Sequence, residues 1–128
     1  MAKLRHVAIA VPDIQATAKF YETSFGMQRV RESDVAVMLS DGVMSLAIID
    51  SNRNVNAESR VGLHHFGFLV DDLDRAATQV ESSGGKYYGQ IRNIGGGPQS
   101  ERKYRDPNGI DFDIVNADHA NRVWKIPA

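Results

Sequence analysis

Gly62-Leu63-His64-His65-Phe66-Gly67-Phe68-Leu69-Val70-Asp71-Asp72 reads as a strand running into a helix N-terminus. It has a counterpart near the start of the chain, His6-Val7-Ala8-Ile9-Ala10-Val11-Pro12-Asp13. At an offset of 59, His6 falls on His65, Val11 on Val70, Asp13 on Asp72, Ala18 on Ala77, Glu22 on Glu81, Ser24 on Ser83 and Gly26 on Gly85. Seven identities over twenty-one ungapped positions mark an internal duplication. A duplicated unit pairs with its copy to bury a shared apolar face.

One domain is expected from 128 residues, enough to build a core without staples. Fifteen basic and sixteen acidic residues give a net charge of −1, which leaves no footprint for nucleic acid or an anionic membrane. With no cysteine, a disulfide framework and a thiolate site are both excluded. The apolar run after His6 stops at Pro12, too short for a signal-peptide core or a bilayer span. A cytoplasmic protein is the expectation.

Leu4 to Val11 is rich in Val, Ile and Ala and reads as a strand. Pro12-Asp13 then starts a helix whose stripe is Ile14, Ala18, Tyr21 and Phe25, with Thr17 its one polar member, and Gly26 stops it. Strands follow at about 28–31, 35–40 and 44–49, separated by the turn residues Ser33-Asp34 and Asp41-Gly42. The unit is βαβββ. The polar stretch 50–60 connects it to a second unit, whose helix presents Leu73, Ala76, Ala77 and Val80 and ends at Gly84-Gly85. Strands are expected at 86–91, 101–105 and, after the turn Asp106-Pro107-Asn108-Gly109, 110–115. Gly95-Gly96-Gly97 lies in a loop where the second unit carries its extra residues. No Gly-Lys-Ser/Thr accompanies it, which argues against a nucleotide phosphate loop. In the tail, Ala117, Ala120, Val123 and Trp124 have near-helical spacing and predict a short docked helix, with His119 and Trp124 in its packing.

Strand alternation sorts the chemistry. Val7, Ile9 and Val11 share a bulky face, as do Phe66, Phe68 and Val70, and these suit packing against the helices. His6 and His65 take the opposite face, each followed at i+2 by a small residue, Ala8 or Gly67. In the last strand Phe112 and Ile114 point to the helices, so Asp113 takes the open face. His64 is phased away from His65. One concave surface thus holds His6, His65 and Asp113, a set that binds a divalent metal and leaves coordination positions open.

These residues resemble the vicinal oxygen chelate superfamily, which includes glyoxalase I, extradiol dioxygenases, fosfomycin-resistance transferases and bleomycin-resistance proteins. The resemblance rests on the βαβββ repeat, the paired His-x4-Val-x-Asp segments and Asp-Pro-Asn-Gly followed by a carboxylate. It implies an α+β fold in which two βαβββ modules form a curved mixed sheet around a cavity. By position it divides the chain into module one at about 4–50, a linker at about 51–60, module two at about 61–115 and a tail at 116–128. It also implies metal ligation by His6, His65 and Asp113, with Fe, Mn, Zn or Ni as the ion, and a homodimer.

The chain departs from the family pattern in several places. Asp113 stands where glutamate is usual, and the matching position of the first module, near Leu46, offers no carboxylate. Lys103 replaces the extradiol tyrosine, Tyr104 is one residue off, and Gly95-Gly96-Gly97 occupies the region of the extradiol histidine. The lysine and serine contacts of the fosfomycin enzymes are not recognisable. Tyr87, Arg92, Tyr104 and Arg105 are candidates to line a pocket for an oxygen-rich substrate. The leading expectation is a metal-dependent glyoxalase- or dioxygenase-like enzyme acting on a small substrate with adjacent oxygens. The alternative is a metal-free binding or sequestration protein of the bleomycin-resistance type.

Overall fold

The computed structural model describes residues 1–54, 57, 60–89 and 100–128. In chain order the elements are β1 (Lys3–Val11), α1 (Ile14–Phe25), β2 (Gln28–Ser33), β3 (Ala36–Ser40), β4 (Ser45–Asp50), β5 (Gly62–Leu69), α2 (Leu73–Ser82), β6 (Lys86–Gly89), β7 (Glu101–Arg105), β8 (Asp111–Val115) and α3 (Ala117–His119), and a π-helical turn at Ala120–Trp124 ends the series. All eight strands join one curved, unclosed mixed sheet in the order β2-β3-β4-β1-β5-β8-β7-β6. Exchanging β1 with β5, β2 with β6, β3 with β7 and β4 with β8 leaves that order unchanged when read from the other end. The fold is α+β, with two βαβββ halves meeting at the antiparallel β1–β5 pair.

Local chemistry sets the helix ends. Asp13 accepts a hydrogen bond from the Ala16 N–H at 3.0 Å, and Asp72 does the same for Arg75 at 2.9 Å. Such caps contribute about 1 kcal/mol each. Gly26, at φ 70°, closes α1 by donating to the Glu22 carbonyl at 2.9 Å, a left-handed conformation that suits glycine.

The two long helices cover one face of the sheet. Ile14 and Ala18 of α1 pack with Val37, Leu39 and Ile48, while Ala77 of α2 packs with Val70, Tyr104, Phe112 and Ile114. Phe25, expected in the α1 stripe, is instead exposed and stacks on Tyr21 at 6.3 Å. The tail covers the other face, where Ala120, Val123, Trp124 and Ile126 pack on Leu69 and Val115. Strand alternation explains the split, because Leu69 and Val115 follow Phe68 and Ile114 of the helix side.

Register corrects one position read from the sequence. Gly67 pairs with Asp113 and Ala8 with Ala47, so the first-half equivalent of Asp113 is Ala47, one residue beyond Leu46. The conclusion that this position offers no carboxylate is unchanged. The glycine triplet 95–97 and Arg92 lie outside the described residues.

Candidate metal centre

The sheet brings His6, His65 and Asp113 together: one ligand atom from each lies within 4.8 Å of the others. His6 sits on β1, His65 on the adjacent β5, and Asp113 on β8 beside β5, so neighbouring strands present all three to one point. Bonds of roughly 2.2 Å to an ion hold donors at most about 4.4 Å apart. The cluster therefore needs to close by only a few tenths of an ångström.

Outer hydrogen bonds orient both rings. His6 Nδ1 lies 3.0 Å from Ser45 Oγ, and His65 Nδ1 lies 2.7 Å from His64 Nδ1. Each leaves Nε2 as the inward donor, the arrangement that metal-ligating histidines use. Trp124 stacks on the His6 ring with centroids 4.5 Å apart and planes 6° from parallel. Burial pushes His6 down to about 3, with His65 adding to the effect, so its imidazole is neutral and keeps a lone pair to give.

Asp113 is the most contested group of the site. Its Oδ2 lies 3.1 Å from His65 Nε2, and its Oδ1 accepts from the Lys103 ammonium at 3.0 Å. Burial alone would raise its pKa. The His65 hydrogen bond and the Lys103 ammonium outweigh that and hold the carboxyl well below the usual carboxylate range. Burial likewise works to depress Lys103, but Asp113 and Glu101 overcome it and raise the ammonium above its ordinary value. Glu101 Oε1 lies 3.7 Å from Lys103 Nζ, and Glu101 Oε2 lies 3.7 Å from Nε2 of the fully buried His119. His119 Nδ1 is 3.1 Å from Ser100 Oγ, and burial pushes this imidazole down to about 4.

A cavity of about 210 Å³ opens beside the cluster. Its apolar wall includes Met38, Ala47, Ile49, Val123 and Trp124, and its polar groups include Arg31, Glu101, Lys103 and His119. The tail residues His119 and Trp124 thus belong to the site as well as to packing.

Of the expected substrate-binding residues, Tyr87, Tyr104 and Arg105 are not among those lining this cavity, and Arg92 lies outside the described residues. Tyr104 is on the helix face, stacked on Phe112 at 5.9 Å and donating its hydroxyl to Glu81 at 2.8 Å; it does not line the cavity. Burial and the Glu81 bond push its phenol up to about 12. Tyr87 is half-exposed and meets Tyr104 edge-on at 5.6 Å. Arg105 pairs with Asp111 at 2.9 Å and lies 4.4 Å over the Tyr88 ring. Alternation along β7 explains the exchange: Tyr104 turns to the helices, whereas Glu101 and Lys103 turn to the cavity.

His64 also departs from its expected phase. Pairing along β1 moves from Ala8–His65 to Ile9–Leu63, so His64 is the extra residue of a β-bulge. The bulge breaks strict alternation and lets His64, buried and not at the surface, meet the ring of its sequence neighbour.

Comparisons with known proteins agree with this architecture. The sequence model described as Glyoxalase/Bleomycin resistance protein/Dioxygenase superfamily matches residues 3–114. Among curated proteins, the chain is 28% identical over 123 residues to a probable chloroplastic lactoylglutathione lyase of Arabidopsis thaliana, covering 88% of this chain and 35% of that protein. It is 25% identical over 120 residues to a putative lactoylglutathione lyase of Brassica oleracea var. gemmifera, covering 86% of this chain and 43% of that protein. The chain thus spans less than half the length of these relatives. Among solved structures, methylmalonyl-CoA epimerase from Mycobacterium tuberculosis superposes with a TM-score of 0.68 at 22% identity, covering 88% of this chain and 86% of that one. A hypothetical protein from Bacillus halodurans C-125 superposes at 0.72 with 18% identity, covering 90% and 94%. With the fold, the repeat and the match over nearly the whole sequence in agreement, the chain belongs to the glyoxalase/bleomycin resistance protein/dioxygenase superfamily.

Proposed function

We propose that this chain is a divalent-metal enzyme that moves a proton at the carbon beside a carbonyl of a small acyl thioester. The observation that carries this reading is the convergence of His6, His65 and Asp113 within 4.8 Å, with both outer imidazole nitrogens already held by Ser45 and His64. When bound, a divalent ion would act as a Lewis acid and offset the negative charge that develops on the substrate's oxygens. The imidazole-rich donor set suits a transition metal better than magnesium.

The chain's own groups supply the rest. His6, His65 and Asp113 would hold the ion. Glu101 offers a carboxylate on the cavity wall to take the proton, with the Lys103 ammonium 3.7 Å from its Oε1. Met38, Val123 and Trp124 form an apolar wall that keeps water from the reacting carbon. At about 210 Å³ the cavity is below the roughly 300–1,000 Å³ of drug-sized pockets, so it admits an acyl group and leaves a larger carrier outside. The names of the similar proteins fit this chemistry, because lactoylglutathione and methylmalonyl-CoA are both thioesters of small acids.

Tag-free protein, stripped with a chelator and reloaded with Mn, Fe, Zn or Ni, tests the proposal. Incubated in D2O with a panel of short acyl thioesters, it is expected to wash deuterium into the α position only when metal is restored. A Glu101→Gln variant should lose the exchange while keeping the metal. Metal retention without exchange on any thioester would contradict the assigned reaction.

A second reading, a metal-free binding protein of the bleomycin-resistance type, is favoured by one observation. The Lys103 ammonium already bonds Asp113 at 3.0 Å. Negligible metal uptake together with tight binding of a small ligand would select it.

A further inference from the structure

Lys103 projects from β7 directly opposite Asp113 of β8, and its ammonium lies 3.0 Å from Asp113 Oδ1 and 3.7 Å from Glu101 Oε1. Both carboxylates are nearly inaccessible to water, with Asp113 at 2% exposure and Glu101 at 4%. Two buried negative charges without a compensating cation would be costly. A divalent ion would supply it, but so does the lysine, from within the chain.

We propose that Lys103 is a tethered cation that shares Asp113 with the metal, holding the empty site together and lowering its affinity for divalent ions. The inference rests on the metal reading of His6, His65 and Asp113 and adds to it a residue that sets how tightly the ion is held. The geometry makes competition unavoidable. Asp113 gives one oxygen to Lys103 and the other to His65 Nε2, so both are engaged before an ion arrives. An ion on Oδ2 takes over the contact with His65 and stands beside a positive charge bonded to the same carboxylate. His64 can follow the change at His65: neutral imidazole can donate or accept at Nδ1, so His65 can release its Nε2 lone pair while keeping the bond to His64.

Removing the ammonium while keeping the space it fills should tighten metal binding and loosen the metal-free protein. Isothermal titration with Mn2+ and Zn2+ on chelator-stripped, tag-free protein would compare wild type with Lys103→Met, Lys103→Gln and His65→Ala. Lys103→Met is expected to bind at least tenfold more tightly than wild type. Its metal-free form should melt lower than wild type and recover when metal is added. Lys103→Gln keeps a donor for Asp113 without the charge and should fall on the same side in affinity. Equal or weaker metal affinity in both lysine variants, with binding lost only in His65→Ala, would overturn the inference and leave the metal reading standing. No binding in any of the four proteins would overturn both.

Should neither lysine variant fold, ammonium-detected NMR of wild type gives the answer. One protected lysine NH3+ signal should be present in the metal-free protein and should move saturably as Zn2+ is added. A signal unmoved by saturating Zn2+ would show that ion and ammonium do not share Asp113.

Discussion

Ser45 contributes a single hydroxyl to the site, 1% exposed and 3.0 Å from His6 Nδ1. It selects which ring nitrogen faces the cavity, and such outer partners are worth about 10- to 100-fold in metal affinity. Ser45→Ala is therefore expected to weaken Zn2+ binding by about that factor while leaving the far-UV spectrum unchanged; unchanged affinity would remove Ser45 from the site. Much at this scale was readable in advance. The histidine pair follows from the repeat, and Asp113 from the alternation after Asp106-Pro107-Asn108-Gly109. Lys103 was readable too: counting back across that turn pairs Arg105 with Asp111 and Lys103 with Asp113. Ser45 and His64 were not, because a cross-strand partner requires the β1–β4 register and a bulge leaves no mark in composition.

Among the elements, the C-terminal segment departs furthest from what its residues suggest. Near-helical spacing predicts a docked helix, and the chain instead makes one short α turn and a π-helical turn that carries Trp124 over the open face. Such turns recur beside functional sites. Gly67, one of the small residues that promise open space above the sheet, is what lets the indole in. A Cβ on Gly67 would lie 3.0 Å from Trp124 Cη2 and 3.2 Å from His6 Cβ. Sequence periodicity could not reveal this, because the pairing of Gly67 with Trp124 joins positions far apart in the chain. Gly67→Ala should push the indole by a few tenths of an ångström and cost about 1–3 kcal/mol, as overpacking does. Trp124 is the single tryptophan, so its emission reports the displacement without ambiguity. Unchanged emission and midpoint would mean the tail adjusts freely.

At the scale of the molecule, duplication builds a symmetric sheet and leaves the chemistry asymmetric. Ala8 and Ala47 mirror Gly67 and Asp113, so one half supplies a carboxylate where the other supplies a methyl group. The buried polar side of the second half, with Glu101, Lys103, Asp113 and His119, then ties stability to pH. Burial holds His119 near 4 in the folded chain against 6.5 when unfolded. Folding keeps it neutral, so its contribution is complete above pH 6.5 and is lost as pH falls from 6.5 towards 4. At about 1.4 kcal/mol per pH unit, the loss reaches about 2 kcal/mol by pH 5. A His119→Gln variant should show a flatter urea-midpoint profile between pH 7 and 5; parallel profiles would remove His119 as the cause.

The proposed chemistry depends above all on a cation position among two imidazoles and a short carboxylate. Anomalous diffraction from crystals grown with Mn2+ or Zn2+ tests it most directly. The expected result is a single strong peak in bonding contact with Nε2 of His6, Nε2 of His65 and a carboxylate oxygen of Asp113, beside the Lys103 ammonium. A map with no peak there at saturating metal, and the Lys103–Asp113 bond intact, would contradict it.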